Sequence, residues 1–270
     1  MDAQPRALRL RSLTVRGLQA RLLPNGWLDL LRQIALFGAA YLCYSAVRAM
    51  AEVQTAVAFD HTREVIQLER TLHIFVEPSI QAWAMGSHAL IDISSWLYVN
   101  AQTTVTIAAL AYIYLRHNRS FYFVRNMLMI SMAIALIGYA VFPTAPPRFM
   151  PEWGFVDTVA SLAGTHVGHE TASMSALFNP YAAVPSMHVA FAVMIGWRLV
   201  GLVKLKIAKV AWALYPFLIA FVIVATANHF IFDALLGALT AGISAFAAHG
   251  LARLRPVAWR FSSTPVQANG

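Results

Sequence analysis

The sequence predicts an all-α polytopic membrane protein, with six transmembrane helices in one bundle and an amphipathic helix at the interface. Three observations predict it. Of the 270 residues, 59% are hydrophobic and 12% are charged, about half the charged share of a soluble domain. Six apolar segments approach the roughly 20 residues that a bilayer crossing needs. Basic residues gather in alternate connecting stretches, as the positive-inside rule requires.

The elements follow in order. Residues 1–26 form a basic N-terminal arm. They lack a long apolar core followed by a small-residue cleavage site, so they do not read as a secretory signal. The membrane domain spans 27–252, and 253–270 is a short tail. The expected spans are about 27–47, 94–115, 126–142, 184–203, 210–226 and 229–251. The first carries Asp29 and Arg32 in its opening turns. The lone Cys43 lies in an apolar run, so no internal disulfide forms.

Placing the N-terminus in the cytoplasm puts four stretches on that side. They hold Arg6, Arg9, Arg11, Arg16 and Arg21; Arg116, Arg119 and Arg125; Arg198, Lys204, Lys206 and Lys209; and Arg253, Arg255 and Arg260, fifteen of the twenty basic residues. Both termini are therefore expected inside, in an integral protein of the cell membrane. The net charge of +8 flanks apolar spans, which indicates anionic lipid rather than nucleic acid. The oligomeric state is not legible.

Two long pieces fall on the other side. In the first, about 60–76, Val65, Ile66, Leu68, Leu72 and Phe75 recur at helical spacing. Asp60, Arg63, Glu64, Glu69 and Arg70 lie between them. An interfacial helix with this pattern either gates substrate or packs as a collar over the bundle. The second piece, about 143–183, is rich in Pro, Gly, Thr, Ser and His, and a loop of this length is often functional.

Three polar clusters then arrive at one membrane face. Arg148 follows the third span in "FPTAPPRFMP", and has no acidic neighbour in that stretch. Its planar fork matches phosphate oxygens. Ser186 and His188 open the fourth span in "NPYAAVPSMHVA". Pro185 suits a first helical turn, which would leave Ser186 and His188 beside free N–H groups at the positive helix end. His229 and Asp233 open the sixth span in "TANHFIFDALLGA", with Asn228 as its expected N-cap. At i and i+4 they share a helix face, so Asp233 can fix the tautomer of His229 and leave its other nitrogen nucleophilic.

Each piece has a plainer reading. The His229–Asp233 pair could be a structural hydrogen bond, and Arg148 a headgroup anchor. A metal site from His166, His169 and Glu170 in "THVGHE" has loose spacing, and solvated loop histidines explain it as well. The phosphate-site set requires no metal and no cofactor. Polar residues at one face only give no path for a channel.

"PTAPPR", "VPSMH" and "NHFIFDALLG" resemble the three signature blocks of the type 2 phosphatidic acid phosphatase superfamily, over roughly 142–237. The "FPT-x-PPR" form resembles the inositolphosphotransferase-like branch, which includes inositol phosphorylceramide synthases. The resemblance implies that His229 is a nucleophile forming phosphohistidine, and that Asp233 orients it. It implies that His188 protonates the leaving oxygen and later activates water or an alcohol. Arg148, and the backbone around Ser186 and Met187, would hold the phosphoryl group. Asn228 joins them, with Asn179, Tyr181 and Thr226 as supporting hydrogen-bond groups. The sequence departs from the common blocks at three positions. Val141 and Ile223 stand where a lysine and an arginine are usual, and Met187 where a glycine is usual. Arg63 or Arg70 could then supply charge from the interfacial helix.

The expected function is phosphatase or phosphotransferase chemistry on a phosphorylated lipid of the phospholipid, sphingolipid or isoprenoid class. The active site would lie at the non-cytoplasmic face. The alternative is a non-catalytic protein that binds or translocates lipid phosphates.

Overall fold

The computed structural model describes residues 23, 25–50, 55–159 and 181–254. Most of the arm and of the tail, with His166, His169, Glu170 and Asn179, lie outside the described residues. The elements are α1 (Gly26–Met50), α2 (Thr55–Thr71), α3 (Glu77–Met85), α4 (His88–Arg116), α5 (Asn118–Val141), α6 (Met187–Leu202), α7 (Lys206–Ala225) and α8 (Ile231–Leu254). Two 3-10 turns, Pro147–Phe149 and Pro151–Trp153, follow α5. Among the described residues there is no strand, only a single bridge between Thr144 and Ala182.

Four helices, α1, α5, α7 and α8, are long and apolar enough to cross a membrane. The other two expected spans fall short for opposite reasons. At 29 residues α4 has ample length, but Ser94, Ser95, Asn100, Gln102, Thr103 and Thr104 dilute its hydropathy. At 16 residues α6 is apolar but short, about 24 Å at 1.5 Å per residue.

α6 runs through the middle and packs on α4, α5, α7 and α8. Met187, Ala190, Met194, Ile195 and Leu199 bury one side of it against Met127, Leu128, Ala135 and Tyr139 of α5. Val189 and Ala192 bury the other against Ile219 and Ile223 of α7. The outside of the bundle is apolar: Ile137, Phe217, Leu235 and Phe246 are exposed. Such a surface suits lipid and not water.

The bundle has two unlike ends. At one, α4 passes to α5 through His117 alone, and Arg198 of α6 donates to Ser120 of α5 (2.5 Å). The expected cation-bearing loop at 116–125 is thus not a loop. Arg125 lies inside α5, fully buried, where it donates to the Gln33 side-chain oxygen (2.7 Å) and to Asn126. Gln33 donates to Asp29 (3.0 Å), which also accepts from Tyr114 (3.0 Å) and Tyr122 (2.8 Å). This satisfied network explains how α1 carries an aspartate: Asp29 faces α4 and α5, while Arg32 points outward. Paired and hydrogen-bonded, a buried charge is tolerable.

The other end is roofed by α2 and α3. Ala58, Thr62, Val65, Ile66 and Glu69 form the buried face of α2. The expected face was different. Leu68 and Leu72 are exposed, and Glu69, expected on the polar side, is fully buried. The Thr62 hydroxyl accepts from the Ala145 N–H (2.9 Å), and Gln81 of α3 pairs with both backbone groups of Val156 (2.8 and 3.1 Å). The two helices therefore pin the segment that follows α5. Val65 and Ile66 pack with Met150, Phe155, Ala227 and Phe230 beneath.

Candidate functional site

Three loops meet under this roof. The first carries Arg148 in the Pro147–Phe149 turn. Its backbone N–H donates to the Ala227 carbonyl (2.8 Å), which ties the first signature block to the third. Its guanidinium donates to the Asn228 side-chain oxygen and lies 3.5 Å from Asp157. Arg148 thus has an acidic neighbour, which its flanking sequence does not show. The Asn228 amide nitrogen donates to the Thr226 carbonyl (3.1 Å) and hydroxyl (2.8 Å). That pair of bonds fixes which end of the amide faces Arg148.

The second loop leads into α6. Pro185 follows a cis Val184–Pro185 bond and precedes the helix, rather than lying in its first turn. Ser186 is the N-cap residue. It is fully buried, and its hydroxyl has no protein partner among the described residues. Its N–H donates to the Asp233 backbone carbonyl (3.0 Å). The approach is close: a Cβ on Gly237 would stand 2.3 Å from the Ser186 carbonyl oxygen. The Met187 side chain is part of the main core, so only its backbone faces the site region.

The third loop joins α7 to α8. Ala227 adopts φ 50°, and the N–H groups of Asn228 (2.9 Å) and His229 (3.2 Å) both return to the Ile223 carbonyl. α8 starts at Ile231. Asn228 is therefore not its N-cap, and His229 precedes the helix instead of lying on it. The expected contact still forms: His229 Nδ1 lies 3.3 Å from Asp233 Oδ2, which also accepts from the Phe230 N–H (3.0 Å). Asp233 is fully buried and His229 nearly so.

His188, on the first turn of α6, faces His229 with 5.6 Å between ring centroids. It also stacks on Tyr98 of α4 at 4.6 Å and 24°. So Arg148, Ser186, His188, Asn228, His229 and Asp233 are brought together. Thr226 supports them through Asn228. Tyr181 sits at the edge, its ring near Phe59 (6.2 Å) and Phe149 (6.3 Å). The two expected auxiliary cations stand apart: Arg63 pairs with Asp60 on an exposed face (2.7 Å), and Arg70 lies over Trp153 (5.5 Å).

Four residues near the site have no signature in the sequence. Tyr98 reads as one more aromatic in a span, Asp157 as a loop acid, and Glu69 and Glu77 as solvent-facing acids. Glu77 Oε1 accepts from the Ile231 N–H (2.9 Å), and Glu69 Oε1 from the Phe232 N–H (2.7 Å). These are the first two residues of α8. Burial and the neighbouring Glu77 carboxyl push the Glu69 carboxyl up to about 9.

The family model described as "PAP2 superfamily" matches residues 63–247. The chain belongs to the PAP2 superfamily. Searches of curated proteins and of solved structures give no match. Members of the PAP2 superfamily are generally phosphatases or phosphotransferases, so membership supports an enzymatic role on a lipid phosphate. The matched region takes in all three loops and most of α2, and it ends within α8.

Proposed function

We propose that this protein is a membrane-embedded lipid-phosphate phosphatase or phosphotransferase that works through a phosphohistidine on His229. The carrying observation is the pair of imidazoles 5.6 Å apart: one is backed by a buried carboxylate, and Arg148 is anchored to the same loop.

The chemistry follows from the geometry. Asp233 holds the proton on His229 Nδ1, so the lone pair on Nε2 is free to attack phosphorus. As the P–N bond forms, the P–O bond to the lipid breaks. His188, protonated, gives its proton to the leaving oxygen. Arg148 and the Ser186 hydroxyl supply donors to the phosphoryl oxygens, where charge builds up. In the second half, His188 removes a proton from water or an alcohol, whose oxygen attacks the phosphohistidine. The P–N bond breaks and His229 is restored. Water gives hydrolysis, and an alcohol gives transfer. The "FPT-x-PPR" form of the first block supports the inositolphosphotransferase-like branch, and hence transfer.

Six crossings are part of the same reading. α5 ends and α6 begins at the roofed end, while α6 ends and α7 begins at the other. The short α6 therefore traverses the bundle, enclosed by its neighbours. α4 runs from α3 at the roofed end to α5 at the opposite one. Arg116, Arg119, Lys204, Lys206, Lys209 and Arg253 belong to the end away from the site, which supports a cytoplasmic position for that end.

The test uses purified protein with phosphatidic acid, isoprenyl diphosphate and phosphoinositol-lipid donors. Phosphate release and headgroup exchange are measured separately. Turnover by wild type and its loss in His229→Ala are expected. Full turnover by a well-folded His229→Ala would sink the mechanism and leave lipid-phosphate binding as the reading.

A further inference from the structure

Glu69 and Glu77 are unusual for their surroundings. They come from two roof helices, α2 and α3, and both are fully buried. Each offers Oε1 to a backbone N–H at the start of α8. Those N–H groups belong to adjacent residues, so the two carboxyls lie side by side. Among the described residues, neither Oε2 has a side-chain or backbone donor. Two buried carboxyl groups this close cannot both be ionised without strong repulsion, and one shared proton relieves it. One negative charge remains for the positive end of α8, where it is favourable.

The groups facing the pair are few. Asp233 on α8 adds to the negative field, with His229 beyond it. The turns packed on the same face of α2 bring apolar Met150 and Phe155, and Arg70 lies outward over Trp153.

We propose that Glu69 and Glu77, sharing one proton, are positioning residues that clamp the first turn of α8 and so fix His229 against Asp233. This rests on the reading of His229 as nucleophile. The capped N–H groups belong to Ile231 and Phe232, between His229 and Asp233 in the chain. The clamp thus sets the backbone between nucleophile and carboxylate, and couples it to a roof helix that also pins the Arg148 segment through Thr62.

The sign of the pH effect follows. The Glu69 carboxyl rises in the folded protein from an ordinary 4.5 to about 9. A raised folded value means the folded state holds the proton more tightly. Its contribution to stability is full in acid, declines as pH climbs above the ordinary glutamate range, and is gone beyond about 9.

The experiment uses the full chain in detergent, comparing wild type, Glu69→Gln and Glu69→Ala. Thermal unfolding is followed from pH 6 to 10, and phosphate release from dioctanoyl phosphatidic acid and farnesyl diphosphate is measured. Gln keeps the acceptor for Phe232 and donates to Glu77 without a titrating proton. Wild type should lose thermal midpoint as pH rises, and Glu69→Gln should lose clearly less. Glu69→Ala should lower kcat about tenfold or more with KM within twofold, and Glu69→Gln should restore it. Equal alkaline losses in wild type and Glu69→Gln would overturn the shared proton. An unchanged kcat in Glu69→Ala would overturn the positioning role. If Glu69→Ala does not fold, the Gln comparison still decides. His229→Ala, run alongside, separates the readings: turnover in that variant defeats the nucleophile assignment, while the pH comparison judges the carboxyl pair alone.

Discussion

His188 and His229 face each other across the junction of α6 and α8, with ring centroids 5.6 Å apart and planes at 61°. A phosphoryl group between them would meet a nucleophile on one side and a proton donor on the other. The two should act as a unit. His229→Ala is expected to reduce phosphate release at least about 10³-fold, and His188→Ala by roughly 10²–10⁴-fold. The double variant should be little worse than the weaker single one. Steady-state rates of all three check this; multiplicative losses would mean the imidazoles work in separate steps or sites.

Arg148 is held from two directions, by its backbone on Ala227 and by its guanidinium on Asn228 and Asp157. Lysine keeps the charge but not the fork. Arg148→Lys should therefore cost about 10²-fold in kcat/KM, near the loss of one strong donor to a developing anion. Asn228→Ala should cost less, because it frees Arg148 without removing it. A fully active Arg148→Lys would show that a point charge suffices there.

The fate of each expectation has a physical cause. The convergence of Arg148, His188 and His229 was legible because span count and loop charge place three polar motifs at one end, and side-chain detail hardly matters to that argument. The helix starts were not. By propensity Pro185 suits a first helical turn and Asn228 an N-cap, yet long-range bonds set the starts: Ser186 N–H is taken by Asp233, and the α8 N-terminus by Glu69 and Glu77. Glu69 departs from its expected face for a related reason. Periodicity alone puts an acid on the wet face, and nothing local reveals a partner on another helix. Arg125 departs from its expected loop in the same way, because its partner Gln33 lies on α1.

Tyr98 stacks on His188 at 4.6 Å. A flat aromatic face limits ring rotation. Tyr98→Phe retains the face, so its rate should stay within about twofold of wild type. Tyr98→Leu should reduce kcat several-fold with KM little changed, since the imidazole loses its stacking partner. Thermal midpoints distinguish this from general loosening, which would lower stability along with the rate.

The junction that carries both histidines depends on one missing methyl group. Gly237 lets α8 approach α6 so closely that an added Cβ would fall 2.3 Å from the Ser186 carbonyl oxygen. Real carbon–oxygen contacts do not reach that distance, and the neighbour is backbone, so the helices must separate. Gly237→Ala should cost about 1–3 kcal/mol, as overpacking commonly does. It should also stretch the Ser186 N–H bond to the Asp233 carbonyl (3.0 Å). Activity should fall further than stability, because a shift of about 1 Å in catalytic geometry can cost 10²-fold. Gly201, where a Cβ meets nothing within 4 Å, is the control: Gly201→Ala should leave turnover unchanged. Thermal midpoints and kcat for the two variants make the comparison, and equal activity in both would mean that the α6–α8 approach does not set the distance between the histidines.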